Sequence, residues 1–364
     1  MSPTTRMHLA ASAVWMVGAF ESRAQSYHLR GIGHLDNVQS YSEITALSGN
    51  GEYAVGTSSS SDGFAAFRWS RDTGIQRVPL PPGWGRESIA LDVSADGGVV
   101  VGQAANARSH SEAFVWEEGT GPRGLGLAPN EFSEAKAVSA DGTVVVGLSG
   151  NVSPDVVIWD ADGVRNIGRH VDFVATLPKA VSNDTLIVGY GFLENADTHE
   201  FFWVQERGFE SWLSDDFLGS RANDVSADGA VVVGAIELSE GWRAYRRSGE
   251  SFTLLDPLLD AVALAVSHNG QFAVGSLTDG ARSHAFIWSE THGVQPIEKL
   301  LLANGVDLGG WKLLYATGVS DAGHVIGGFG VNPSNAVEGW VLEVVAPRAA
   351  TEAALNRSET LARP

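Results

Sequence analysis

Six aromatic residues, Tyr41, Trp84, Phe132, Phe173, Phe217 and Trp311, each fall in a segment joining one unit of a long internal repeat to the next. Ring faces set at intervals among polar loops are what stacking on a sugar, or anchoring a protein partner, requires. Acids lie near them: Asp36, Glu87, Glu131, Asp172, Asp215 and Asp216. Two such carboxylates held about 5 to 10 Å apart, one with a raised pKa, would suit a polysaccharide lyase or glycoside hydrolase. Scattered acids would suit recognition. The same rings would equally serve to cap the apolar ends of the inner strands, and the sequence leaves these uses open.

Sharper chemistry is missing. There is no cysteine, which excludes disulfides, thiolate metal sites and cysteine nucleophiles. No HExxH pair, GxSxG elbow, GxxxxGK[ST] loop or helix-opening GxGxxG occurs. "DADG" (Asp160 to Gly163) opens like a calcium loop but lacks the later acidic ligands. His110, His199 and His284 occupy nearly one repeated position on different units, as a strand-start or loop-bonding residue would. Accordingly no catalytic residue, metal site or cofactor is assigned.

The elements that must position the aromatics are visible as a repeat. "VSADGTVVVG" (Val138 to Gly147) is one of seven copies, whose serines Ser48, Ser94, Ser139, Ser182, Ser226, Ser267 and Ser320 are spaced by 46, 45, 43, 44, 41 and 53 residues. An aromatic pentapeptide follows each at a nearly fixed offset, as in "AAFRW", "EAFVW" and "HEFFW", and after most comes a glycine turn with a short apolar piece. Each unit therefore predicts four strands, the first two joined at the serine by a tight hairpin in which Asp or Asn stabilises the turn.

Three adjacent valines imply a strand covered on both faces, and at this period the covers are neighbouring units, as in a β-propeller. The glycine after the valines is expected to let the next blade's backbone or aromatic ring approach. "EGWVLEVV" has no fourth strand after it, whereas "YHLRGIGHL" (Tyr27 to Leu35) resembles one, so the N-terminal strand is expected to complete the last blade and close a seven-bladed ring over residues 25–345.

Arg6 and His8, an apolar run from Leu9 to Phe20, and Ser22 and Ala24 predict a signal peptide cut after Ala24. The run is too short for a lasting membrane helix, and no later stretch reaches about 18 apolar residues. A formal net charge of −19 disfavours nucleic acid and anionic lipid as partners. Residues 346–364 are expected to form a tail, either a short helix or a linker stump.

With "HAFIW" (His284 to Trp288) in view, the chain resembles the HAF-repeat family of bacterial extracellular proteins across Tyr27 to about Val345. The resemblance implies an exported propeller and carries no general catalytic motif. Departures from the repeat are Asp184-Thr185 in place of a turn glycine and Tyr245 with Arg247 in place of the aromatic pair. The combined expectation is a monomeric periplasmic or extracellular module that binds a saccharide or surface protein through its loop face.

Overall fold

The computed structural model describes residues 26–37, 40–126, 132–211, 217–280 and 282–345. The expected signal peptide and tail lie outside them, as do Glu131, Asp215 and Asp216. The described chain forms seven four-stranded antiparallel sheets, one per repeat, which are the seven blades of a propeller. Blade 3 shows the pattern: Ser133–Val138, Val145–Ser149, Asp155–Asp160 and Gly163–Gly168, paired in sequence order. The seventh sheet takes its outermost strand, Ser26–Gly31, from the N-terminus, beside Val337–Val345. The closure expected from the sequence is the one observed.

Each hairpin follows from its serine. The buried Ser139 Oγ donates to Asp141 Oδ1 (2.6 Å) and accepts from the N–H of Val144 (3.0 Å), while Asp141 Oδ1 also accepts from the N–H of Thr143. Ser48, Ser94, Ser226 and Ser267 make the same bond to Asn50, Asp96, Asp228 and Asn269. The turn residue that follows lies at positive φ, 77° at Gly142, where glycine carries no Cβ penalty. In the fourth copy Thr185 holds that place at φ 61°.

The turns also tie the blades together. Asn50 N–H donates to Ala95 O, Ala95 to Ala140, Asn183 to Ala227, Ala227 to His268 and Asp321 to Gly49, at 2.8 to 3.0 Å. Asp141 N–H to Asn183 Oδ1 and Asn269 Nδ2 to Asp321 O complete the circuit. All seven junctions carry a hydrogen bond, so the turn end of the ring is a closed polar belt.

Apolar packing fills the space between blades in seven clusters, one per interface. Alternate valines point to opposite neighbours: Val144 and Val146 face blade 4 beside Val181 and Phe201, while Val145 faces blade 2 beside Val101. That accounts for a strand without polar alternation.

The glycine after the valines has a different cause from the one expected. Every innermost strand carries a β-bulge, as between Ala135 and Ala137. The bulge presses the strand's carbonyl onto the glycine paired with it. A Cβ on Gly147 would lie 2.9 Å from the carbonyl carbon of Glu134 and 3.0 Å from Ala135 Cα, and closer still to the carbonyl oxygen. The crowding atom belongs to the same blade. Where an aromatic ring also approaches, as Phe201 does at Gly189, it too comes from the same blade.

Candidate functional site

The segments that link blades bring Trp84 and Trp311 to equivalent places in blades 2 and 7. Both rings are half-buried. Trp84 packs on Gly124 of its blade's outer strand, where a Cβ would lie 2.7 Å from the ring, and Trp311 packs on Gly31, where it would lie 2.8 Å away. A carboxylate stands beside each glycine. Glu112 Oε1 accepts from Gly126 N–H (3.2 Å) and Oε2 from Asn106 Nδ2 (2.8 Å). Glu338 Oε1 accepts from Gly33 N–H (2.9 Å) and Oε2 from Asn332 Nδ2 (2.6 Å). One tryptophan, one glutamate and one asparagine thus recur as a set. The sequence signal was present in "RGLGLA" and "RGIGHL" and in the Asn-to-Glu spacing of six.

The other four aromatics have different surroundings. Tyr41, in blade 1 between those two blades, is half-buried. Its hydroxyl donates to Glu43 Oε2 (2.5 Å), and its ring meets Phe64 edge-on at 5.6 Å. Burial, then the Glu43 carboxylate, holds its phenol above the usual tyrosine value. Phe132 packs half-buried against the core between blades 3 and 4, and Phe173 is inside that core, stacked on His170 at 4.4 Å. Phe217 stacks on Phe252 at 6.0 Å. The six therefore do not converge on one platform; Trp84 and Trp311 share a setting and the rest do not.

The acids near them are likewise separate. Asp36 accepts from Ser61 and faces Arg77 at 3.5 Å, and Asp172 lies 3.7 Å from His170. His199 and His284 occupy the same strand position as Glu112 and Glu338, and His284 sits 3.4 Å from Glu298. Among the described residues no group of three or more metal-ligating side chains is assembled.

The central channel holds a cavity of about 310 Å³, lined by the seven innermost strands. Sequence reasoning passed over it. The residue displaced by each bulge faces it, three places before each repeat serine, and in blades 3 and 4 that residue is Lys136 or Lys179. The signal is plain in "EAKAVS" and "LPKAVS", but period-two alternation hides it because a bulge adds a residue.

On either side of the lysines, one place further along, are Asp92 of blade 2 and Asp224 of blade 5. Each carboxylate accepts two backbone N–H groups at 2.8 Å, one from its own strand (Val93, Val225) and one from the next blade (Val138, Val266). Burial, only partly offset by those bonds, pushes Asp92 up to about 7 and Asp224 to about 6. Both acids are engaged as ties between blades. Blades 6, 7 and 1 present the uncharged Leu264, Thr317 and Thr45 at the bulge, although Glu43 of blade 1 and His268 of blade 6 also line the cavity.

Near the turn belt His268 Nδ1 lies 3.4 Å from Asp321. Burial disfavours the charged imidazole, but the Asp321 carboxylate outweighs it and holds the pKa above the ordinary histidine value.

No protein-family model matches the chain, and no curated protein matches it. Solved structures do. The propeller domain of the trilobed protease from Pyrococcus furiosus is 12% identical over 86% of this chain and 97% of that one, with a TM-score of 0.57. A puromycin hydrolase is 15% identical over 88% and 54%, with a TM-score of 0.58. TolB from Acinetobacter baumannii is 13% identical over 66% and 62%, at 0.46. The likeness is one of fold. The chain spans about three-fifths of that TolB and about half of the hydrolase.

Proposed function

We propose that this chain is an exported binding module of the HAF-repeat type that presents the link face of its propeller to a saccharide at the bacterial surface. It would act as a monomer after removal of residues 1–24. The observation that carries this reading is the duplicated tryptophan, glutamate and asparagine set of blades 2 and 7. A half-exposed indole supplies a stacking face, and a fixed carboxylate and amide beside it supply hydroxyl recognition. Packing alone does not call for so large a ring, since phenylalanine holds the corresponding links of blades 3, 4 and 5.

Affinity electrophoresis in gels containing cell-wall or exopolysaccharide fractions tests the reading. The wild type should be retarded, and the Trp84→Ala, Trp311→Ala double variant should run free with its melting temperature nearly unchanged. A variant that is retarded as the wild type is, or one that simply melts early, would leave the indoles as strand caps. Retention of the wild type by a surface protein and by no glycan would move the proposal to a protein partner.

A further inference from the structure

We propose that the central channel binds a small organic oxyanion, a molecule carrying a carboxylate or phosphate group, with Lys179 as its main contact and Lys136 as the second cation. This site is distinct from the link face and does not depend on it.

Lys179 projects from the bulge of blade 4 into the cavity, so it keeps water-accessible surface although protein surrounds it. Among the described residues no carboxylate lies within 4.0 Å of its ammonium, whereas Lys136 on the neighbouring blade is paired with Glu134 at 2.8 Å. The nearby acids are otherwise occupied. Asp92 and Asp224 each receive two backbone N–H groups and are pushed toward neutrality by burial, Glu43 accepts from the Tyr41 hydroxyl, and Asp321 faces His268. Lys179 is thus a cation confined in a narrow space beside a second cation, with its countercharge unfilled by the protein. Burial and then Lys136 hold its pKa below the usual lysine value, as expected for a charge lacking a close partner. A cavity of about 310 Å³ exceeds what a bare phosphate needs and falls at the small end of ligand pockets. The uncharged Leu264, Ala265 and Thr317 in its wall suit the carbon skeleton of such a molecule.

The position tolerates change, which makes the test clean. Leucine stands at the same bulge in blades 2 and 6, as Leu91 and Leu264. Thermal melting and calorimetric titration are run at constant ionic strength, with inorganic phosphate and with citrate as the probes and potassium chloride as the control. Wild type should be stabilised by at least one oxyanion beyond the chloride control; Lys179→Leu should lose at least tenfold in affinity, Lys136→Leu should lose less, and Lys179→Arg should retain binding. A response to phosphate alone, or to citrate alone, assigns the head group. Wild type indifferent to both probes, or Lys179→Leu responding as the wild type does, would overturn the proposal. The Trp84→Ala, Trp311→Ala variant should bind these anions normally, so failure at one site is distinguishable from failure at the other.

Discussion

The carbonyl of Glu134 rests directly on Gly147, and the same contact joins Ile89 to Gly102 and Arg221 to Gly234. It is the price of turning one residue of each inner strand into the channel. Gly147→Ala should therefore destabilise the fold by about 3 kcal/mol, because the obstructing atom is backbone of the same sheet and cannot swing aside. Urea denaturation measures this, and a loss below about 1 kcal/mol would mean that the bulge relaxes.

Thr185 makes the opposite case. A β-branched residue at φ 61° occupies the turn position that glycine holds in the other six copies. Thr185→Gly should stabilise the protein by about 1 kcal/mol, seen as a rise in the urea midpoint with an unchanged slope. A neutral or destabilising result would show that the threonine side chain contributes more than the strain costs.

The Tyr245 departure in repeat 5 is matched by a second one in repeat 4, at Glu200. Glu200 takes a place held by Ala113 in blade 2, Tyr245 takes that of Phe114, and the buried phenol of Tyr245 donates to the Glu200 carboxylate across the blade interface. Burial pushes Glu200 up to about 7 despite that bond. Tyr245→Phe should cost about 2 to 3 kcal/mol by stranding Glu200, whereas adding Glu200→Ala should recover most of the loss by restoring the alanine and phenylalanine pairing. Equal and additive losses in the double-mutant cycle would contradict this coupling.

The His268 and Asp321 pair links blade 6 to the blade that closes the ring. A raised histidine pKa stabilises the fold fully below about 6.5, and that contribution fades as pH rises through the folded value. Asp321, held below its ordinary value because His268 outweighs its burial, contributes above about 3.9 and loses that contribution as pH falls. The window of greatest effect is thus roughly pH 4 to 6.5. His268→Gln should cost on the order of 0.5 kcal/mol more at pH 5.5 than at pH 8.5, after allowing for solvent screening. Each variant is compared with wild type at the same pH, since Asp92 and Asp224, with raised values, make the wild type itself less stable as pH climbs toward 7. A pH-independent cost would show that the pair acts by packing alone.

The repeat made the architecture legible. Blade number, strand order and the N-terminal closure follow from seven serines, the valines after them and the missing strand after "EGWVLEVV". Contacts that depend on one blade meeting another were less so. The Glu200 and Tyr245 pair joins residues 45 apart, and nothing local announces it. The bulge was hidden because it breaks the period-two pattern at the residues that face the channel, Lys136 and Lys179 among them. Of the six linking aromatics, the sequence showed their recurrence; that Phe173 would be buried while Trp84 and Trp311 stayed half-exposed is set by how each link crosses its blade end.

Two equivalent sites make a quantitative demand on binding. Isothermal titration of the folded protein with an oligosaccharide released from the retarding fraction should give a stoichiometry near two. Trp84→Ala and Trp311→Ala should each lower it to one with little change in affinity, and the double variant should bind none while melting like the wild type. A stoichiometry of two that persists in both single variants, or loss of binding that tracks loss of folded protein, would contradict the assignment of these tryptophans as the binding surface.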